Sequence, residues 1–360
     1  MRILVGLLGG ALVGLMLVEI FVAFLLPRRV KRDPRIVRSV FAYAWGPWRR
    51  LARAMPVQAG DTMLGIYGPF GLLLNLLLWV LVMMVGYACL QWAGHSHLAG
   101  PHSVGFAQDF FFSAATMASS GTAGLGAHTG FARAVQVIDA GSGLAVIAIV
   151  IGYLPALYQA FSRREATVSQ LDARAGSPPS AGRLLLRSTQ NGGWPALNSY
   201  LSGWETWVAE LMETHLAYPV LAYFRSQHIN QNWLSAMCTL LDACAFTVAA
   251  APRGSVDSAR FTFAIARHAV VDLSYTFHAE QRPPGVDRLS AGDCADLLER
   301  LREAGLQIGA PPATVYERLA AMRALYEPYV NALAERLEFG LPQWLAPDSP
   351  SDNWRTTEWH

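Results

Sequence analysis

Hydrophobic and polar positions divide the chain into two unlike halves. Three apolar runs, Ile3 to Leu26, Phe70 to Trp92 and Val135 to Phe161, reach the ~20 residues that a helix needs to cross a bilayer. Between the second and third lies a loop of another character, in which "GFAQDFFFSAATMASS" predicts a short helix dipping into the bilayer. It is followed by "SSGTAGLG", Ser119 to Gly126, a run of small and hydroxyl residues without charge. Non-helical backbone at membrane depth is tolerated only where protein or a water-filled path surrounds it, and this glycine-rich stretch is the candidate for such backbone. From Ser162 on, charge mixes with helical apolar periodicity. Helices are predicted over Trp204 to His215, Pro219 to His228, Trp233 to Ala251, Ser258 to His278, Ala291 to Glu303 and Pro312 to Leu337, parted by "APRGS" and "QRPPGV". No strand alternation is evident. "WLSAMCTLLDACAFTVAAA" has the length of a fourth span, but Asp242 in its middle is expensive in lipid, so it is read as a buried helix.

Composition agrees with the membrane reading: 53% of the 360 residues are hydrophobic and 15% are charged, against roughly 25% charged in ordinary soluble domains. The distribution of lysine and arginine predicts orientation. Arg28, Arg29, Lys31, Arg32, Arg35, Arg38, Arg49, Arg50 and Arg53 lie between the first two runs, and Arg163 and Arg164 follow the third. Ala93 to Ala132 contains neither residue type. The expectation is therefore a multi-pass protein of the inner (plasma) membrane, with its N-terminus outside and everything after Phe161 cytoplasmic. The first run is too long for a cleaved signal peptide and is read as a retained anchor. "RIVRSVFAYAWGPWRRLARAM" places aromatic residues among arginines, as in helices lying at the membrane interface, with Pro47 expected to break it in two. A net charge of +2 gives no indication of nucleic acid. The four cysteines form no close pair and read as small buried hydrophobes.

The order span, re-entrant helix, small-residue loop, span resembles that of prokaryotic pore-loop potassium channels of the two-transmembrane type. The resemblance is residue by residue over Phe110 to Gly143. "FFSAAT" resembles the pore helix, with Ser113 and Thr116 at family-typical places. "FARAV" resembles the start of the inner helix, with Arg133 at the usual arginine, and Gly143 falls at the inner-helix hinge glycine. "IGYLPALYQAFSRRE" and the helices after it resemble a bacterial subgroup with a cytoplasmic helical region. The resemblance implies a homotetramer, a permeant monovalent cation with potassium foremost, and a filter of backbone carbonyls.

A potassium filter needs successive carbonyls turned inward to replace the ion's water shell, and glycines supply the left-handed dihedrals that keep them aligned. The family's Thr-Val-Gly-Tyr-Gly-Asp is altered here, and two registers compete. Without gaps it falls on Ser119, Ser120, Gly121, Thr122, Ala123 and Gly124, which fits the flanks but puts Ala123 at a glycine position. Shifted by three it becomes Thr122, Ala123, Gly124, Leu125 and Gly126, keeping the threonine and both glycines at the cost of a longer pore helix. The backbone requirement favours the second register. The bracing aromatic and the following aspartate are absent from both, so altered or relaxed selectivity is expected.

Asp139, early in the third run, is an intramembrane carboxyl and by default a functional candidate, read as bracing the filter or as an outer polar contact. Glu19 is open to the same readings. Gly141, Gly143, Gly152 and Pro155 offer places where the inner helix can bend as a gate, or pack closely. His95, His97, His102 and His128 in the outer loop could respond to protons or zinc, but their spacing specifies no site. His268 and Asp272 stand one helical turn apart. No metalloprotease, phosphate-loop or nucleophile-elbow motif accompanies them, so no metal site, cofactor or enzyme is expected.

These readings give an all-α membrane protein, a pore-loop cation-channel transmembrane domain joined to an α-helical cytoplasmic domain. The expected divisions are an N-terminal transmembrane helix (1–27), a basic interfacial segment (28–68) and a pore domain (69–161). Within the pore domain lie an outer helix (70–92), a pore helix and filter (106–126) and an inner helix (133–161). A linker (162–195), a cytoplasmic helical domain (196–340) and a polar tail (341–360) complete the chain. The expected function is an ion-channel subunit in contact with membrane lipid. Its cytoplasmic helices hold the tetramer together or bind a ligand that the sequence does not name. The alternatives are a non-conducting receptor or scaffold that keeps the channel fold, and a membrane-tethered enzyme.

Overall fold

The computed structural model describes residues 1–24, 36–94, 105–122, 125–226, 230–252, 256–283, 285 and 287–345; the side chains of 23, 24, 36–40 and 42 lie outside this description. All regular structure among them is helical. The chain forms two compact units, Met1–Tyr158 and Gln159–His360.

The first unit begins with α1 (Arg2–Phe24), α2 (Ile36–Arg53) and α3 (Val57–Ala93). α1 and α3 run antiparallel, and glycine decides how close they come. A β-carbon on Gly9 would lie 2.6 Å from the Gly86 carbonyl oxygen, and one on Gly86 would lie 2.7 Å from a Val13 methyl. Lipid is as apolar as leucine, so helices associate by such close packing rather than by escape from water. Beyond the glycines, Val13, Met16 and Ile20 of α1 meet Trp79, Met83 and Tyr87 of α3 in one buried cluster. Where the start of α1 meets the end of α3, the Arg2 guanidinium lies 5.2 Å from the centre of the Trp92 ring.

α2 departs from the sequence expectation: it is one helix with Pro47 inside it, not two broken at that residue. α3 likewise starts at Val57 rather than 70, because its first turns have a partner. Tyr67 of α3 sits among Phe41, Trp45 and Trp48 of α2, at ring-centroid distances of 4.7, 4.7 and 5.6 Å. Trp48 Nε1 donates to the Met63 carbonyl at 2.9 Å, and Gly60 lets the Ala52 carbonyl approach to where a β-carbon would stand 2.6 Å away. The aromatic residues Phe41, Trp45 and Trp48 join α2 to α3.

α4 (Phe106–Met117) and α5 (Gly130–Ala175) complete this unit, and α5 carries on into the second. There it is followed by α6 (Ala181–Gln190), α7 (Gly193–Ser202), α8 (Trp204–Ala217), a 3₁₀ turn (Pro219–Tyr223), α9 (Trp233–Ala250), α10 (Asp257–Thr276), α11 (Ala291–Glu303), α12 (Pro312–Arg323) and α13 (Glu327–Leu337). The expected linker at 162–195 is thus the end of α5, a turn, α6 and the start of α7. Val168, Leu171, Leu184 and Leu185 are buried there, and their spacing was obscured by "GSPPSAG". The helix expected over Pro312 to Leu337 is two, because the Pro328 ring in a continuous helix would strike the carbonyl four residues back, at Ala324, where α12 is capped. The expected polar tail is in part core: Trp344 is fully buried 6.4 Å from the Phe246 ring, and its carbonyl accepts from Gly182 N–H at 3.0 Å. Residues 346–360 of that tail lie outside the described residues.

Four helices are long and apolar enough to cross a membrane, α1, α3, α5 and α9. Protein covers 94% of the α9 window, against 22%, 39% and 28% for the other three, so α9 is the core of its own unit. Asp242 is accommodated on α9 by a buried ion network. Arg288 donates to both its carboxylate oxygens, at 2.7 and 2.9 Å, and to Glu327 at 2.9 Å. Arg323 holds Glu327 and Asp287, and the Tyr326 hydroxyl also bonds Asp242. A buried carboxylate with this many charged donors replaces its lost hydration.

A third buried arginine ties α5 to the rest of this unit. Arg164 donates to the Leu221 and Phe224 carbonyls at 2.9 and 2.8 Å, and its Nη1 lies 3.2 Å from His215 Nε2. Guanidinium can only donate, so Nε2 must be the acceptor and Nδ1–H donates to the Leu211 carbonyl at 2.8 Å. Burial first, and the Arg164 charge second, hold the His215 imidazole well below its usual range and therefore neutral.

Two outcomes follow. Gly9→Ala should lower thermal stability of the detergent-purified protein by about 1–3 kcal/mol, the usual cost of overpacking. Gly14→Ala, whose β-carbon meets nothing within 4 Å, should leave it unchanged or slightly raised. For His215, the unfolded chain takes up a proton below pH about 6.5 that the folded chain refuses. Its contribution is therefore present above that pH and lost as pH falls, by up to about 1.4 kcal/mol per pH unit. Melting curves between pH 7 and 5 should be flatter for His215→Gln than for the native chain; equal slopes would show that His215 is not held neutral.

Candidate functional site

The distinctive part of the first unit is the segment between α3 and α5. At 12 residues, α4 spans about 18 Å, too short for a hydrocarbon core of ~30 Å. Asp109 occupies its first turn, where a carboxylate faces the positive end of the helix. Phe112, Ser113, Ala115, Thr116 and Met117 are buried. The helix ends in a Schellman arrangement: Ser120 N–H donates to the Ala115 carbonyl at 3.0 Å and Ser119 N–H to that of Thr116 at 3.1 Å. The left-handed residue this requires is Ser119, at φ 52°, where glycine is the usual choice, and Gly121 follows at φ 86°. Two left-handed residues thus flank Ser120.

After Gly121 the loop closes on itself. Leu125 N–H donates to the Thr122 carbonyl at 2.9 Å and the Thr122 hydroxyl to the Leu125 carbonyl at 2.6 Å. Ser119, Ser120 and Gly121 are exposed, and Thr122, Leu125 and Gly126 half-buried; Ala123 and Gly124 lie outside the described residues. The Thr122 carbonyl, expected in either register to face an ion, accepts a bond from within the loop. Thr129 then caps α5, its hydroxyl accepting from Ala132 N–H at 3.1 Å. Arg133 Nε reaches back to the Ala127 carbonyl at 3.1 Å.

Polar side chains from α3, α4 and α5 meet in the interior of this unit. Asp139 of α5 and Ser113 of α4 are fully buried. The Ser113 hydroxyl faces the Asp139 carboxyl, yet Ser113, Thr116 and both Asp139 oxygens lack a hydrogen bond of ordinary geometry. Next to them the Tyr87 hydroxyl of α3 and the Ser142 hydroxyl of α5 are 2.6 Å apart, and Ser142 also donates to the Ile138 carbonyl at 2.8 Å. Gln91 of α3 donates to the Ala132 carbonyl at 3.2 Å. A buried carboxyl without a full set of donors is expensive, which marks this cluster as the strained polar centre of the unit.

Gly143 stands one turn beyond Asp139, and a β-carbon there would lie 2.3 Å from the Met117 carbonyl oxygen. The end of α4 therefore rests on bare α5 backbone. α5 is continuous through Gly143, Gly152 and Pro155, and Gly141 and Gly152 face open space. Of the outer-loop histidines, His128 is exposed and His95, His97 and His102 lie outside the described residues. Glu19 is half-buried on α1. In the second unit, His268 and Asp272 form an i,i+4 pair at 3.7 Å. No group of three or more His, Cys, Asp or Glu side chains converges among the described residues.

Neither a protein-family model, nor a curated protein, nor a solved structure matches this chain. Sequence reasoning brought Ser113, Thr116, Asp139 and the loop into one neighbourhood but missed Tyr87, Gln91 and Ser142. A tyrosine and a glutamine near the end of an apolar run were the available signal for the first two. Nothing in the sequence marked the Met117 carbonyl.

Gly143→Ala should lower thermal stability by about 1–3 kcal/mol through the clash with α4, whereas Gly141→Ala should leave it within about 0.5 kcal/mol. Equal tolerance of both changes would mean that α4 does not rest on Gly143.

Proposed function

We propose that the protein is an ion-channel subunit whose pore is built from the α4 segment and its loop, with the chain assembled as a homotetramer in the plasma membrane. The observation that carries this reading is the order of the first unit: a spanning helix, a half-length helix ended by left-handed residues, a small-residue loop and a second spanning helix. One such loop contributes a quarter of a ring. α5 keeps an apolar face, including Val137, Gly141, Leu144, Ala148, Ile151 and Gly152, exposed in the single chain; in a tetramer it meets neighbouring copies and lines the inner cavity. Hydroxyls and carbonyls of Ser119 to Gly126 replace the water shell of a monovalent cation, potassium foremost. The buried Ser113, Thr116 and Asp139 group holds the loop from behind. With neither the aromatic nor the aspartate of a potassium filter, selectivity is relaxed. The basic residues of the α2 region, with Arg163 and Arg164, support a cytoplasmic second unit by the positive-inside bias.

For ions to pass, the turn between Thr122 and Leu125 has to open and release its carbonyls. That turn is also the specific observation in favour of a second reading, a non-conducting receptor or scaffold on the same fold. Flux into liposomes of purified protein, with potassium, sodium and a large organic cation compared, decides between them. The channel reading expects potassium and sodium flux and exclusion of the large cation. In the ungapped register Gly121 is a filter glycine that the conducting loop also needs left-handed, so the cost of about 1–2 kcal/mol for Gly121→Ala should lower flux at least about fivefold. The same loss from Gly124→Ala instead would assign the shifted register. Well-folded oligomers that pass no ion would establish the scaffold.

A further inference from the structure

The second unit leaves one helix face uncovered. Its exposed large apolar side chains, among the described residues, are Phe261 at 68%, Tyr275 at 66% and Leu325 at 45%. The first two are on α10, and Arg267 of α10 donates to the Leu325 carbonyl at 3.2 Å, which sets Leu325 beside the same helix. The opposite face of α10 is core, with Ala259, Thr262, Phe263, Ala266, Ala269, Val270, Leu273 and Ser274 buried. Isolated surface hydrophobes need no explanation, but their concentration along one helix does.

The spacing along this face is symmetric. Phe261 and Tyr275 lie seven residues either side of His268, two helical turns each way. Closer in, Ile265 and Val271 lie three residues either side of His268 and are half-buried, and Ala264 and Asp272 lie four either side. Two copies of such a face crossing antiparallel at His268 match like with like. Phe261 of one chain meets Tyr275 of the other, and Ile265 meets Val271. The two His268–Asp272 pairs, each 3.7 Å within its chain, alternate imidazole and carboxylate around the axis. Antiparallel pairing also sets opposite helix ends side by side. A two-fold contact requires this kind of self-complementarity, in which residue i meets j and j meets i.

We infer that α10 is a two-fold contact between C-terminal units of two copies of this chain, with His268 on the axis. One helix pair buries less than the ~1,200 Å² of a stable free interface, but chains confined to one membrane meet at high effective concentration, which sustains a small contact. The contact is independent of ion conduction and belongs equally to a channel or to a scaffold.

Cysteine cross-linking of the full-length protein, in membranes and after purification, tests it. All four native cysteines are buried, so the background is low. Phe261 and Tyr275 are 14 residues apart on one helix, about 21 Å, far beyond the ~4.4–6.8 Å between α-carbons in a disulfide. A 261–275 bridge is therefore necessarily between chains. His268→Cys should shift under mild oxidation from monomer to dimer mobility, as should Phe261→Cys combined with Tyr275→Cys. Either aromatic replaced singly should stay monomeric. Dimers from Phe261→Cys alone would overturn the antiparallel arrangement. Folded His268→Cys protein that stays monomeric would overturn the contact itself. In that case, reaction with a water-soluble maleimide in membranes would identify a free face, and protection there but not in detergent would identify a lipid surface as the occupant.

Discussion

Bare backbone meeting backbone is the constraint on which the first unit depends. Inside a membrane, helices gain nothing by hiding leucine from lipid, so their positions follow from where they can approach most closely. Gly9 and Gly86 set the α1–α3 pair at one level, and Gly143 sets the end of α4 against α5 at another. Everything between is placed by these contacts. The Val13, Met16, Ile20, Trp79, Met83 and Tyr87 cluster fills the first pair, and Met117, Val135 and Val146 extend the same core to α4 and α5.

With the end of α4 seated on Gly143, Ser113 falls beside Asp139. Ser113 and Thr116 are one helical turn apart and on one side of α4, as Asp139 and Ser142 are on α5. The cluster therefore follows from helix geometry once the backbones are in contact. Its cost is concentrated on Asp139, while Tyr87 and Ser142 satisfy one another at 2.6 Å. This polar group contacts α4 through Ser113, and the same helix ends in the left-handed Ser119 that opens the loop. This links the packing of the unit to the function proposed for it.

In the second unit the governing interactions are charged. Arg288 and Arg323 bind the Asp242, Glu327 and Asp287 carboxylates from three directions, and Arg164 closes the carbonyls after α8 against the end of α5. Such networks fix one arrangement of helices because each partner is costly to leave alone in a low-dielectric interior. They also explain how a helix as apolar as α9 carries a carboxylate at its centre. What the core does not absorb is the outer face of α10, and its symmetric spacing gives that face a mate in its own copy.

Much of the architecture was legible in the sequence. Apolar length marked three candidate spans, and Asp242 set α9 apart from them, a helix whose apolar window is 94% buried within the protein. Helix starts at Trp204, Trp233 and Ala291 followed from local capping and periodicity. Pro47, the 162–195 stretch and Trp344 were misread because proline, glycine and polar composition report local preference, whereas partners supplied by Tyr67, by the α9 core and by Phe246 override it. Asp139 could be named from residue type and position alone, and Ser113 and Thr116 from the resemblance of "FFSAAT" to a pore helix. That they meet, that Tyr87 and Ser142 join them, and that Thr122 is bound to Leu125 depend on distances between segments far apart in the chain. The sequence determined which segments are helical and which are apolar enough for a membrane, since those depend on neighbours a few residues away. Only the tertiary structure decided which backbones touch and where the polar atoms converge, since those depend on the absence of a side chain on one helix opposite a carbonyl on another.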